Sequence, residues 1–136
     1  MQYNIREALY QDSNEIMRIQ QALLSLRRNY PNFQEWINQK VIAQLGKTRK
    51  IIIALSGQKT IAGVMILKNT VFEKKICTLW VHKEYRKNGI GTALMRYAIK
   101  ELGTKYPLIT MSQESYIEFL PLMKKFNFQL KKCYNG

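Results

Sequence analysis

Two glycines one residue apart, Gly89 and Gly91, follow a basic pair, Arg86 and Lys87, and precede an amphipathic run that begins at Ile90. Residues of these types in this order suit the capture of an anion. The start of a helix leaves backbone N–H groups without intrahelical partners and carries the positive end of the helix dipole. Glycine lets backbone approach an oxyanion closely, and Arg86 and Lys87 add fixed charge beside it. A lone Gly-x-Gly is more often an ordinary turn, so its neighbours decide. A Walker A loop is excluded, because upstream of Gly46-Lys47-Thr48 the place of its first glycine is Val41 and no strand leads in. A dinucleotide-binding turn is excluded as well, because its third glycine would fall on Leu94.

Other reactive side chains are few. His82 is the one histidine, and Cys77 and Cys133 lie far apart, so zinc spacing and a disulfide framework are both absent and no metal site is expected. Charge says more. The chain holds 22 Lys and Arg against 9 Asp and Glu, a net charge of +13, and the excess is lopsided. Residues 1–48 carry 6 basic and 4 acidic side chains, whereas residues 49–136 carry 16 and 5. An anionic partner is expected against the second part, although a lysine-rich solvated surface accounts for many of these charges. The first residues lack the apolar core of a signal peptide, and "IIIAL" (51–55) and "VMIL" (64–67) are too short to cross a bilayer. The expectation is a cytoplasmic protein with no membrane contact.

These residues must be positioned by a core, and a chain of 136 residues that is 46% hydrophobic can build one in a single domain, residues 1–136. Residues 3–9 read as a short strand. Asp12 and Glu15 form a capping-box pair, after which Ile16, Ile19, Leu23 and Leu26 recur at helical spacing. Pro31 suits the first turn of a second helix with Phe33, Trp36, Ile37, Val41 and Leu45 on one face, ended by Gly46. From residue 49 the period changes to that of strands: a hairpin turning at Ser56-Gly57-Gln58, then a third strand ending at Val81. A helix over 90–102 buries Ile90, Ala93, Leu94, Tyr97, Ala98 and Leu102, and residues 107–111 form a short crossover strand. Pro121 is harmless only in a first turn, which places the start of the last helix near Ile117. "FQLKKC" (128–133) reads as a closing strand. The class is α/β with one mixed sheet.

Within this order Arg86-Lys87-Asn88-Gly89-Ile90-Gly91 matches the Arg/Gln-x-x-Gly-x-Gly/Ala motif of the GNAT superfamily of N-acetyltransferases, and the stretch 79–102 resembles that family's acetyl-CoA-binding motif throughout. The resemblance implies a mixed, mostly antiparallel sheet flanked by about four helices, and the early end after "QLKKCYN" implies that the usual last strand is missing. An exposed sheet edge left that way favours a homodimer. By the same resemblance the backbone of Arg86, Lys87, Asn88, Gly89, Ile90 and Gly91, with Thr92, holds the pyrophosphate of acetyl-CoA, and Leu79, Trp80 and Val81 pair with its pantetheine arm. The implied acceptor is a primary amine.

Two departures from the family pattern bear on catalysis. The fourth strand, Lys75 to Val81, carries no acid to deprotonate the amine, and Met123 stands where such enzymes commonly place a proton-donating tyrosine, four residues before a glycine that here is Asn127. Tyr116 and Tyr134 are the alternative candidates for the proton donor, and both serve equally well as packing or surface residues. His82 is a candidate by residue type but lies where the motif is variable. The strong basicity of residues 49–136 admits a second reading, acetylation of aminoacyl-tRNA as by GNAT toxins with RNA contact through this half. The absent acid and tyrosine admit a third, an acetyl-CoA-binding module without catalysis.

Overall fold

Among the described residues five strands form one sheet in which neighbours in space are also neighbours in sequence, in the order β1-β2-β3-β4-β5. The computed structural model describes residues 2–24 and 32–130. β1 (Asn4–Glu7), β2 (Arg49–Ser56), β3 (Thr60–Asn69) and β4 (Lys74–Val81) run antiparallel in series, and β5 (Leu108–Ile109) lies parallel to β4. The all-apolar run of β2 is explained by layers on both faces. Ile52 and Ala54 face one layer with α3 (Ile90–Leu102), while Ile51, Ile53 and Leu55 face the other with α1 (Ser13–Ala22) and α2 (Phe33–Trp36). Among the described residues no helix is long and apolar enough to cross a membrane.

Two local features shape the end of the sheet that matters below. Across β3 and β4, Ile66 stands opposite Thr78 but Leu67 opposite Ile76, so Cys77 is an extra residue in β4. This bulge lets both Ile76 and Leu79 face α3, which a regular strand forbids. The second feature is Gly63, where a Cβ would lie 3.0 Å from both Ile90 Cγ2 and Leu94 Cδ1. The missing side chain brings the first turn of α3 down onto the sheet beside the end of β4.

Several boundaries differ from the sequence expectation, each for a local reason. Asp12 caps α1 by accepting from the N–H groups of Asn14 and Glu15, but the reciprocal half of the capping box is absent. The Asp12 N–H donates to the Leu9 carbonyl at 2.9 Å, and Glu15, only 2% exposed, instead accepts from the Leu9 N–H and from Arg6 at 2.6 and 3.0 Å. The second helix is α-helical only over α2, continues as a wide π turn over Ile37–Val41 and ends in a 3₁₀ turn at Gln44. Phe33, Ile37 and Val41 are buried as expected, while Leu26 and Pro31 lie outside the described residues.

The predicted helix near Ile117 is two helices, making five α-helices among the described residues. α4 (Gln113–Glu118) starts earlier because the Ser112 side chain caps it, accepting from the Ser115 N–H. Pro121 then opens α5 (Leu120–Lys125), where its missing N–H costs nothing. Asn127 takes a left-handed φ of +61° just past α5. Its N–H donates to the Lys124 carbonyl and that of Phe128 to Met123, a complete Schellman stop. Residues 128–130 belong to no strand, and the rest of the expected closing strand lies outside the described residues.

Candidate active site

β5 pairs with β4 only at Lys75 and Ile76, through Leu108 and Ile109, with a last bond from the Thr110 N–H to the Ile76 carbonyl at 3.1 Å. Beyond Ile76, β4 runs on to Val81 with no strand beside that edge among the described residues. The His82 N–H donates to the Ala62 carbonyl at 2.8 Å, toward β3. By the two-residue period of a strand, Trp80 also bonds toward β3, and the backbone polar groups of Leu79 and Val81 point to the open edge. Consistent with this, the Val81 carbonyl is reached from that side by Arg86 Nε at 3.3 Å.

The glycine turn follows directly. Lys87 and Gly89 take left-handed φ values of +66° and +80°, which curl the chain tightly, and α3 then starts with no side chain capping it. The orphan donors of the first turn, Ile90, Gly91 and Thr92, are therefore free of side-chain acceptors. Tyr3, at the start of β1, holds the turn from outside through its hydroxyl, which donates to the Gly89 carbonyl at 3.3 Å, and Asn88 donates to the Arg86 carbonyl at 3.4 Å. Arg86 is not a free cation. Its guanidinium pairs with Glu118 of α4 at 2.5 Å. Burial pushes the Glu118 carboxyl above the usual carboxylate range, against the pull of Arg86.

On the other face of the same strand end lies a cleft of about 670 Å³. Its walls include Arg18 of α1, Lys59 of the β2–β3 turn, Trp80, and His82, Lys83 and Arg86 after β4. Trp80 and His82 meet edge to face at 5.8 Å, as do His82 and Tyr85 at 5.6 Å. His82 Nδ1 accepts from the Glu84 N–H at 3.1 Å. That bond leaves the neutral ring its proton on Nε2, so His82 is held as a donor and its one lone pair is already used.

The remaining candidates separate clearly. Tyr116, in α4, is half-buried against the α3-side core; Tyr134 and Cys133 lie outside the described residues. Cys77 is buried with Arg49 Nη1 at 2.9 Å from its sulfur, and burial pushes its thiol up, which makes it inert. Met123 is 2% exposed within the α3-side core. Met123→Tyr should therefore overpack that core and cost about 1–3 kcal/mol without raising turnover. A thermal melt and steady-state kinetics on the variant check this; a rise in kcat at unchanged stability would refute it. Sequence reading missed Glu118, Tyr3, Arg18 and Lys59, because each reaches the site from an element remote in sequence and none belongs to a local motif.

The comparisons bear on what such a strand end and turn belong to. Among curated proteins no sequence matches. Among solved structures, an acetyltransferase of the GNAT family from Staphylococcus aureus Mu50 superposes with a TM-score of 0.72 at 18% identity, over 96% of this chain and 87% of that one. A predicted acetyltransferase with acetyl-CoA from Clostridium acetobutylicum gives 0.66 at 19% identity over 99% and 95%. An aminoglycoside acetyltransferase from an uncultured soil metagenomic sample gives 0.68 at 17% identity over 100% and 97%. At these identities the likeness is one of fold. The sequence itself decides the family: the model of the acetyltransferase (GNAT) family matches residues 7–115, from the end of β1 into α4 and across the whole glycine turn, and the chain belongs to that family.

Proposed function

We propose that residues 1–136 act as one N-acetyltransferase domain that moves an acetyl group from acetyl-CoA to a primary amine. Acetyl-CoA is the acetyl donor of the family. The observation that carries the reading is the join of an uncapped helix start, a curled basic turn and an open strand edge within residues 79–92. Those features fit the donor: the N–H groups of Ile90, Gly91 and Thr92, with the turn from Arg86 to Gly89, would hold a pyrophosphate, and the open edge at Leu79 to Val81 would pair with an amide-bearing arm. Bound acetyl-CoA supplies an activated thioester carbonyl. The backbone N–H groups directed to the open edge, Val81 nearest the turn, are placed to polarise such a carbonyl. Trp80 presents its ring to the cleft on the opposite side, where an acceptor amine would lie.

Deprotonation of the amine falls to water, because among the described residues the cleft lining holds no carboxylate. β4 carries no acid, and the lone pair of His82 Nδ1 is taken. With a panel of primary amines, CoA thiol release should therefore be detectable, and kcat/KM should rise about tenfold per pH unit up to the pKa of the acceptor itself. A plateau near pH 6–7 would instead identify a side-chain base. Release of no thiol with any amine, despite calorimetric binding of acetyl-CoA, would overturn the catalytic reading and leave a binding module.

A further inference from the structure

The geometry points to an acceptor amine that carries its own anionic group, a carboxylate or a phosphate, bound in the cleft between α1, the β2–β3 turn and the end of β4. The inference rests on the acetyltransferase reading and names its substrate class. Every titratable side chain known to line the cleft is a donor: Arg18, Lys59, Lys83, Arg86 and, through Nε2, His82. Their counter-charges are incomplete. Arg86 is matched by Glu118, whereas Arg18 reaches Glu15 only at 4.0 Å, and that carboxylate is already engaged by Arg6 at 2.6 Å and by the Leu9 N–H. Among the described residues neither Lys59 nor Lys83 has a carboxylate partner.

Arg18 supplies an independent sign. Its Nε is buried and makes no hydrogen bond, the one such side-chain atom among the described residues, while the side chain remains 37% exposed at the cleft wall. The Nη atoms are what the cleft exposes, and the 4.0 Å approach to Glu15 is too long for a hydrogen bond, so the outer edge of the guanidinium is open to a planar oxyanion. Carboxylate and phosphate are the groups with that geometry. A cleft of about 670 Å³ suits a small ligand. A polycationic acceptor meets only like charges there, so this cleft is opposed to aminoglycoside-like amines even though structural neighbours include enzymes named for them. The transfer balances as for any amine: a nitrogen–carbon bond forms, the carbon–sulfur bond breaks, one proton leaves the nitrogen and the departing thiolate takes one from water.

The test compares acceptors of one size: β-alanine and 2-aminoethyl phosphate against ethanolamine, with spermidine as the polycation. Acetyl-CoA binding is measured separately by calorimetry, and binding of 2-aminoethyl phosphate is followed by tryptophan fluorescence, since Trp80 lines the cleft. The anionic amines should exceed ethanolamine at least about tenfold in kcat/KM, with the excess shrinking as salt rises. Arg18→Gln should remove most of that advantage, lowering kcat/KM for the anionic amines at least about tenfold more than for ethanolamine, with the acetyl-CoA Kd unchanged. Lys59→Gln, at an exposed turn, should do the same to a smaller degree without threatening the fold. Turnover that favours spermidine, or a loss in Arg18→Gln equal for all four amines, would overturn the inference while the acetyltransferase reading stands. If no amine turns over, fluorescence still decides: failure of 2-aminoethyl phosphate to bind more tightly than ethanolamine sinks the anionic cleft on its own.

Discussion

Gly91→Glu is expected to weaken acetyl-CoA binding by about 100-fold or more while the protein stays folded. Gly91 is the second residue of α3, where its N–H is one of the orphan donors and no side chain caps the helix start. A carboxylate at this position sets like charge against a pyrophosphate, which costs several kcal/mol, and each 1.4 kcal/mol is tenfold in affinity. The added Cβ itself is a lesser matter, since it would lie 3.3 Å from Leu122 Cδ2, the far end of a flexible side chain. Gly91→Ala therefore serves as the control and should bind within about tenfold of the parent. Arg86→Ala should also lose less than Gly91→Glu, because the structure shows its charge already matched by Glu118 at 2.5 Å. Calorimetric titration of the three variants, with circular dichroism to verify folding, makes the comparison. Binding by Gly91→Glu at the parent affinity would remove the phosphate site from this turn.

The largest expected effect on stability is at Glu15, far from any motif. Its carboxylate is 2% exposed and joins three parts of the chain: Arg6 in β1, the Leu9 N–H in the connection and its own helix. Glu15→Ala leaves the part-buried Leu9 N–H without its acceptor and the part-buried Arg6 guanidinium with only the Glu7 carbonyl, a loss of about 3 kcal/mol. For a domain of this size that lowers Tm by roughly 8–12 °C. The hydrogen bond from Arg6, with that from the Leu9 N–H, holds the Glu15 carboxyl below the usual carboxylate range despite its burial. A carboxyl depressed in the folded state stabilises above its unfolded pKa, and that stability is lost as pH falls through the folded value. The gap in stability between parent and Glu15→Ala should thus be full at pH 7 and narrow below about pH 4. Urea melts at both values test it; a gap independent of pH would mean that packing, not charge, is what alanine removes.

Much of this molecule was legible from residue order alone, and the reason is that those parts are governed by neighbours in the chain. The β-branched apolar runs at 51–55 and 60–67, the period of 3.6 in 90–102 and the turn at Gly57 are local patterns, and they return as β2, β3, α3 and their hairpin. The glycine turn was legible for the same cause: its charges, its left-handed positions and the helix it opens lie within residues 86–102. Local signals were misread where a distant partner competed for the same group. Glu15 has capping-box spacing, yet its carboxylate goes to Arg6 and Leu9 because burial against β1 offers more donors than the helix start does. Pro121 was read as the first turn of one helix, but the Ser112 cap starts another before it. Tertiary structure alone decided the cleft. Arg18, Lys59 and His82 come from three elements that meet only because α1 lies across the sheet at the end of β4, and Glu118 reaches Arg86 only because α4 packs beside the open edge. Sequence determines the glycine turn because its conformation is set by adjacent residues; the cleft is built from side chains brought together through a shared core, a relation that no local spacing records.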